Sequence, residues 1–194
     1  AISEASLTLF SSFSPFYYES VDYGPLVVTR NAAFAFDDVG TLGADVLYGD
    51  DDDNELIGLN GDDVMTGSAG ADTMDGGLGN DTVDYLLSDA GVNIILGGAV
   101  TGGHAQGDTL VSVENITGSA FNDTLAGDAG ANILRGAGGD DLLTLGGGAD
   151  IVVVLATDGG VDVVTDFDLA EDRLQLSLAA WQSRTADGAD TLFT

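Results

Sequence analysis

Apolar and acidic residues recur at a fixed interval of nine over residues 40–84, where five consecutive units follow one another without a gap. Position 8 of every unit is apolar, and these residues are Leu47, Leu56, Met65, Met74 and Val83. The last three residues of a unit suffice only for a short strand with one side chain facing inward. Because a single apolar residue cannot form a core, the pattern predicts stacked repeats of strand and turn.

The remaining positions of the unit favour a tight turn. Every unit opens with glycine, namely Gly40, Gly49, Gly58, Gly67 and Gly76, and most units have another glycine at position 4. Glycine permits backbone conformations that are closed to residues with a Cβ. Position 6 is always Asp or Asn, and the residues are Asp45, Asn54, Asp63, Asp72 and Asp81. We therefore expect a first array, residues 40–84, whose turns direct carbonyl groups inward.

The same interval returns in a second array, residues 118–156. Its apolar positions are Leu125, Leu134, Leu143 and Val152, and its position-6 residues are Asp123, Asn132, Asp141 and Asp150. Phe121 and Leu145 each replace a glycine, as expected for the end repeats of an array. Gly76 and Gly118 are 42 residues apart, which is not a multiple of nine. The segment between the arrays must therefore reset the register.

Position 6 indicates what holds the turns together. Turns nine residues apart are expected to alternate between two edges of the stack, so each position-6 residue should face the one two units on. The predicted pairs are Asp45/Asp63, Asp63/Asp81, Asn54/Asp72, Asp123/Asp141 and Asn132/Asp150. Like charges at about 5 Å would repel unless a cation lay between them. Carboxylate and carbonyl oxygens suit Ca²⁺, and the two pairs that contain Asn should bind it more weakly.

Composition agrees with this interpretation and excludes several others. Four Lys plus Arg against 33 Asp plus Glu give a net charge of −29, which argues against binding to nucleic acid or anionic membranes. Bound Ca²⁺ would offset the repulsion, so folding should depend on the metal. The chain has no cysteine, no apolar run long enough to span a membrane and no cleavable signal sequence. It begins with Ala1 and not Met, so we expect a fragment or a processed product.

The nine-residue units resemble the RTX repeats, G-G-x-G-x-D-x-U-x, of the calcium-dependent parallel β-rolls that Gram-negative bacteria export. The resemblance implies an all-β fold, several bound Ca²⁺ ions, secretion through type I machinery and a location outside the cell or on its surface. It also implies that backbone carbonyls of the glycine-rich turns complete the metal sites. The glycines in question are Gly58, Gly61, Gly67, Gly70, Gly76, Gly79, Gly136, Gly139 and Gly148.

Two segments outside the arrays have a different composition. Residues 1–39 are rich in aromatic residues and include strand candidates at 25–36, which favours a cap over the open apolar end of the stack. The alternative is a patch of exposed aromatics that binds a ligand or partner. Residues 85–117 contain strand candidates at 91–96 and 109–116, with a glycine-rich loop at 97–108. We interpret this segment as a wider β-coil, and we expect its His104 to be a solvated loop side chain.

Within the closing segment, residues 157–194, the stretch from Gly160 to Leu176 resembles the end of the RTX modules of serralysin-type proteases and mannuronan epimerases. Asp162, Asp166 and Asp172 match acidic positions there, so they are candidates for a further Ca²⁺ site; a solvated acidic turn is the alternative. Residues 177–182 could form a short helix around Trp181. The last five residues weakly resemble a type I secretion terminus.

Signals of catalysis are missing from the sequence. One histidine cannot supply an HExxH zinc motif, and there is no G-x-S-x-G elbow. We therefore expect no enzyme, but a non-catalytic calcium-binding module of a type I secreted protein. The alternative is an extracellular structural or interaction protein, such as an S-layer, sheath, adhesin or polysaccharide-binding module, that assembles or binds with Ca²⁺.

Overall fold

The computed structural model describes residues 38–177, which form short β-strands and a three-residue 3₁₀ helix, Gly103–Ala105. In chain order the strands are β1 (Asp38–Val39), β2 (Val46–Tyr48), β3 (Glu55–Ile57), β4 (Val64–Thr66), β5 (Thr73–Asp75), β6 (Thr82–Asp84), β7 (Asn93–Ile95), β8 (Val100–Thr101), β9 (Thr109–Val111), β10 (Asn115–Thr117), β11 (Thr124–Ala126), β12 (Ile133–Arg135), β13 (Leu142–Thr144), β14 (Ile151–Val154), β15 (Val163–Val164) and β16 (Arg173–Leu176).

Successive strands of each array lie in opposite sheets. One face is a single parallel sheet in the order β2-β4-β6-β10-β12-β14-β16, which runs through both arrays. The other face consists of two sheets, β1-β3-β5-β9 and β8-β7-β11-β13-β15. Within the arrays a strand pairs with the strand two units on, as in Val46↔Val64 and Thr124↔Leu142. The predicted all-β parallel roll is confirmed.

The core is a double column of apolar side chains between the two faces. The central residue of each array strand points inward and is at most 7% exposed. These residues are Leu47, Leu56, Met65, Met74, Val83, Leu125, Leu134, Leu143 and Val152, with Ile94 and Ile116 continuing the column between the arrays. Burying one such side chain stabilises the fold by about 1.5–3 kcal/mol. No single coil has enough of them, so stability depends on stacking.

The segment between the arrays moves out of the regular stack and returns to it. Strand β7 pairs with β11 of the second array, and β8 folds back antiparallel on β7. The chain then reaches β9, which extends the first array by pairing with β5, and β10, which pairs with β6. The predicted single strand at 109–116 is therefore wrong. The backbone turns a corner at Ser112, whose φ is 51°, and the two halves join different faces.

The loop of this segment is packed against the roll. The His104 N–H donates to Ser88 Oγ at 2.9 Å, and the His104 side chain is only 24% exposed. His104 is therefore partly buried and not a solvated side chain, because its 3₁₀ helix lies against Ser88 and Ala90.

Several expectations concern residues outside the described range. They are the aromatic cap up to residue 37, the strand candidates at 25–36, the helix at 177–182 beyond Ser177, and the secretion-like terminus. The division of the chain at 39, 84, 117 and 156 stays a prediction. Across residues 38–177, no helix has the length and apolar character that a membrane span requires.

Candidate metal sites at the turn edges

The residue before each strand lies at one of two edges of the stack. We call the edge before the seven-stranded sheet the first edge, and the edge before the other face the second edge. The first edge carries Asp45, Asp63, Asp81, Glu114, Asn132, Asp150 and Asp172. The second edge carries Asn54, Asp72, Asp108, Val92, Asp123, Asp141 and Asp162. Carboxylates from turns remote in sequence are therefore aligned along both edges.

A ladder of hydrogen bonds connects these residues. The Asp45 N–H donates to Asp63 Oδ1 at 2.8 Å, and the Asp63 N–H donates to Asp81 Oδ1 at 2.8 Å. The other three predicted pairs are joined in the same way, over 2.7–2.9 Å. One oxygen of each carboxylate thus holds the preceding coil. The structure brings all five predicted pairs together.

The surroundings of the position-6 side chain distinguish two classes of turn, and the turn of Asp150 belongs to neither. In what we call open turns, Oδ2 of the position-6 residue is buried and has no hydrogen-bond partner; these residues are Asp63, Asp72, Asp81 and Asp141. Position 2 of those turns, occupied by Leu59, Ser68, Gly77 and Ala137, has φ between 73° and 91°. The left-handed backbone there directs the position-2 N–H away from the carboxylate. Four buried oxygens consequently lack the partner that such atoms almost always have.

In closed turns the chain satisfies the same oxygen itself. The N–H of position 2 donates to the position-6 side chain, as from Thr41 to Asp45 at 2.5 Å and from Ser119 to Asp123 at 2.6 Å. Asn54 and Asn132 accept in the same way from Asp50 and Asp128. Each position-2 side chain also accepts the N–H of position 4, which keeps the local turn closed. The closed turns are the first two of each array.

Burial of the open turns changes their proton affinity. Loss of solvation raises the pKa of Asp63 from 3.8 to about 6, and that of Asp72 and Asp141 from 3.8 to about 7. Neighbouring carboxylates contribute in the same direction, whereas the ladder N–H groups partly oppose the shift. The pKa of Asp81 is raised for the same main reason. The buried edges therefore favour a proton or a cation at these oxygens.

Backbone carbonyls lie beside position-6 oxygens in both classes of turn. A Cβ built on Gly40 would lie 2.7 Å from the Gly58 carbonyl oxygen and 2.8 Å from Asp45 Oδ2. On Gly58 it would collide with Asp63 Oδ2 and lie 2.6 Å from the Gly76 carbonyl oxygen. A side chain would fill this space, so glycine leaves it lined by one carboxylate and one carbonyl of the next coil. Such hard oxygen ligands suit Ca²⁺.

The predicted carbonyl donors at position 4 have another evident role. A Cβ on Gly61 would collide with the backbone of Gly43, and one on Gly79 with the Gly61 carbonyl oxygen. Both glycines also have positive φ, at 118° and 154°. Position 4 is therefore where successive coils touch, backbone against backbone. No three His, Cys, Asp or Glu side chains between residues 38 and 177 cluster in a way that could hold a metal ion by themselves.

The acidic residues of the closing segment divide between two roles. Asp162 and Asp172 continue the two edges, because their Oδ1 atoms accept the N–H groups of Asp141 and Asp150 at 3.2 and 3.1 Å. Asp166 accepts the N–H groups of Leu145 and Gly146 instead, so it lies off both edges.

Two edge residues, Asp108 and Glu114, were not predicted from the sequence. Asp108 Oδ1 accepts the Asp72 N–H at 2.9 Å, and Glu114 Oε2 accepts the Asp81 N–H at 2.9 Å. The sequence did contain a sign of them, because each precedes a three-residue strand whose central residue is apolar. These central residues are Leu110 and Ile116. They could not be recognised from the period because no glycine turn with the usual spacing precedes them.

Comparison with known proteins agrees with this geometry. The family model of the RTX calcium-binding nonapeptide repeat matches the chain in four copies, over residues 39–63, 48–83 and 117–152. No curated protein matches the chain significantly.

Proposed function

This chain carries RTX calcium-binding nonapeptide repeats, and on that premise we propose that it is a non-catalytic calcium-binding β-roll module of a type I secreted extracellular protein. It folds when it binds Ca²⁺ outside the cell. Secretion, the location at or beyond the surface of a Gram-negative bacterium and the lack of catalysis are parts of this proposal. The family supports them, because its repeats are typical of such exported proteins.

One observation carries the proposal: four carboxylate oxygens of the open turns are buried without a hydrogen-bond partner. Leaving a buried charge unpaired costs several kcal/mol. Ca²⁺ bound at an edge supplies positive charge and accepts oxygen ligands from both coils. The chain supplies other ligands and the spacing of the coils. Oδ1 of Asp63, Asp72, Asp81, Asp141 and Asp150 holds the adjacent coil, and Oδ2 of Asp63 and of Asp81 lies beside a backbone carbonyl of the next coil.

The two turn classes refine the assignment of ligands. We assign the strongest sites to the open turns of Asp63, Asp72, Asp81 and Asp141. The Gly76 carbonyl lies beside Asp63, whereas the Gly58, Gly67 and Gly136 carbonyls lie beside the closed-turn residues Asp45, Asn54 and Asp123. Asp45, Asn54, Asp123 and Asn132 contribute less, because an N–H of their own turn already occupies one side-chain oxygen. Asp150, Asp162 and Asp172 stay candidates by their place on the edges, and Asp166 does not.

A calcium titration followed by far-UV circular dichroism tests the proposal. We expect the chelated protein at neutral pH to lack the β signal and to gain it cooperatively with Ca²⁺, but not with equal Mg²⁺. An Asp63→Asn variant should need more Ca²⁺ than the wild type, whereas Asp51→Asn, at an exposed turn residue, should not. A chelated wild-type protein with unchanged β structure would refute calcium-coupled folding.

A structural or binding role is the second candidate, supported by apolar residues on the outer surface. Leu142 and Val163 are direct neighbours in the sheet and are 42% and 53% exposed. Such a pair favours contact with a partner, a polysaccharide or another copy of the chain. Sedimentation with and without Ca²⁺ separates the two functions, because a monomer in Ca²⁺ supports the secreted module and ordered assembly supports the structural role.

A further inference from the structure

The first edge continues across the gap between the arrays. No nine-residue unit is present at residues 85–117, and the family model does not match residues 84–116. Glu114 Oε2 nevertheless accepts the Asp81 N–H at 2.9 Å, the role that Oδ1 of an Asp plays elsewhere on this edge. The partners are 33 residues apart, against 18 within an array. The longer Glu side chain reaches a position that a regular turn would supply with Asp.

The Ser112 carbonyl takes the place beside Gly76 that the carbonyl of an opening glycine takes in a regular repeat. A Cβ on Gly76 would collide with the Ser112 carbonyl oxygen, whereas a Cβ on Gly58 meets the carbonyl of Gly76 in the corresponding place. Ser112 attains this orientation with a φ of 51°, a left-handed backbone like that of position 2 in the open turns. The corner between β9 and β10 therefore presents its carbonyl as an opening glycine does.

Asp81 supplies an independent sign of a ligand at this place. Its side chain is 0% exposed, and its Oδ2 has no hydrogen-bond partner. The same oxygen borders the space next to Gly76 and the Ser112 carbonyl. A buried carboxylate oxygen without a partner is thus directed at a carbonyl oxygen, with a second carboxylate one coil away. This combination attracts a cation and not an anion.

The second edge is different at the corresponding level. Asp108 Oδ1 accepts the Asp72 N–H, but Asp108 Oδ2 accepts the Tyr85 hydroxyl at 2.7 Å. The atoms nearest to a Cβ built on Gly67 all belong to the Asp72 side chain. A phenol hydroxyl therefore takes the place of an external ligand on Asp108. Asp72 Oδ2 has no hydrogen-bond partner at this level either, so the two edges differ in the residue across the gap: the chain satisfies the second oxygen of Asp108, and the Ser112 carbonyl faces Asp81.

We propose that Asp81, Glu114 and the Ser112 carbonyl form an additional Ca²⁺ site that joins the first array to the second. The site rests on the proposed calcium-dependent folding; Asp81 belongs to a matched repeat, whereas Glu114 and Ser112 lie outside the matched repeats. With this site, the row of metal ligands along the edge of the seven-stranded sheet runs without interruption from the first array to the second, as the hydrogen bonds of the sheet do. Both arrays therefore fold as one cooperative unit.

Isothermal titration of the full chain with Ca²⁺ tests this site through Glu114→Gln. The amide keeps an oxygen that can accept the Asp81 N–H but removes the charge. We expect the loss of one Ca²⁺ per chain, or a weakening of one site by about tenfold or more, as ligand charge decreases. Glu55→Gln is the matched control, because Glu55 is exposed on β3 and should leave the isotherm unchanged. An unaltered isotherm for Glu114→Gln would overturn the site.

A crystal structure of the wild-type chain grown with Ca²⁺ gives a second test that does not depend on a variant folding. An anomalous peak between Asp81 Oδ2 and the Ser112 carbonyl oxygen supports the site. Peaks only between regular turns would overturn it and leave the proposed function intact. Absence of Ca²⁺ from the crystal and from the titration would overturn both.

Discussion

Acid should partly replace calcium in this protein. The open-turn carboxylates have raised pKa values in the folded chain, about 6 for Asp63 and about 7 for Asp72 and Asp141, against an ordinary value of 3.8. At a pH between the ordinary pKa of 3.8 and the raised pKa values, the metal-free folded chain therefore binds more protons than the unfolded chain. Its free energy of unfolding must decrease as the pH rises from about 4 to about 7 and then level off.

The size of the effect follows from the pKa values. One pKa unit corresponds to about 1.4 kcal/mol, so the shift of Asp63 alone amounts to about 3 kcal/mol. Asp72 and Asp141 have larger shifts. Because a domain is typically stable by only about 5–15 kcal/mol, ionising these few groups without a cation removes much of the stability.

Urea denaturation of metal-free protein at about pH 5 and about pH 8 measures this dependence. We expect β structure that unfolds cooperatively at the lower pH and little β structure at the higher one. Asp63→Asn should reduce the difference, because the amide cannot ionise, while Asp51→Asn should preserve it. Equal stability of the wild type at both pH values, or greater stability at the higher one, would refute the assignment of buried carboxylates as the cause.

Three further predictions test the edges and the core. Asn54→Asp and Asn132→Asp should tighten Ca²⁺ binding in a titration, unlike Asn80→Asp at an exposed position; unchanged binding by the first two would contradict a role of the side-chain charge at these turns in holding Ca²⁺. Leu134→Ala should cost about 2–5 kcal/mol in urea denaturation with saturating Ca²⁺, and the outward-facing Leu142→Ala should cost much less. Tyr85→Phe should cost about 1–3 kcal/mol by leaving Asp108 Oδ2 without its donor, against almost nothing for Tyr48→Phe on the exposed surface; similar costs for both would remove the role of this hydrogen bond.

The arrays were predictable because one residue type serves one purpose at each position. An apolar residue at every ninth place, such as Met65 or Leu134, can be buried only if alternate units face each other, and this fixes the two-sided stack. The same period fixes the pairing of Asp63 with Asp81. Neither inference depends on contacts between residues of different kinds, so a single sequence was sufficient.

The segment between the arrays was less predictable because its contacts are unique. The run at 109–116 looks like one strand, and only the partners of β9 and β10 show that it bends at Ser112. Asp108 and Glu114 take edge positions without the glycine turn that marks the others. Such positions depend on where the chain returns to the stack, and local propensity does not determine that.

The difference between open and closed turns explains how one repeat can have two energetic roles. In a closed turn, Ser119 or Asp128 at position 2 supplies a side-chain acceptor for position 4 and an N–H for position 6, so the turn needs no external ligand. In an open turn, Ala137 at position 2 is left-handed and Asp141 keeps a buried oxygen without a partner. Closed turns begin both arrays, so the coil on which each array stacks is stabilised by the chain alone. The unpaired carboxylates of Asp63, Asp72, Asp81 and Asp141 all lie in later coils, and on the proposed function these are the coils that need calcium most.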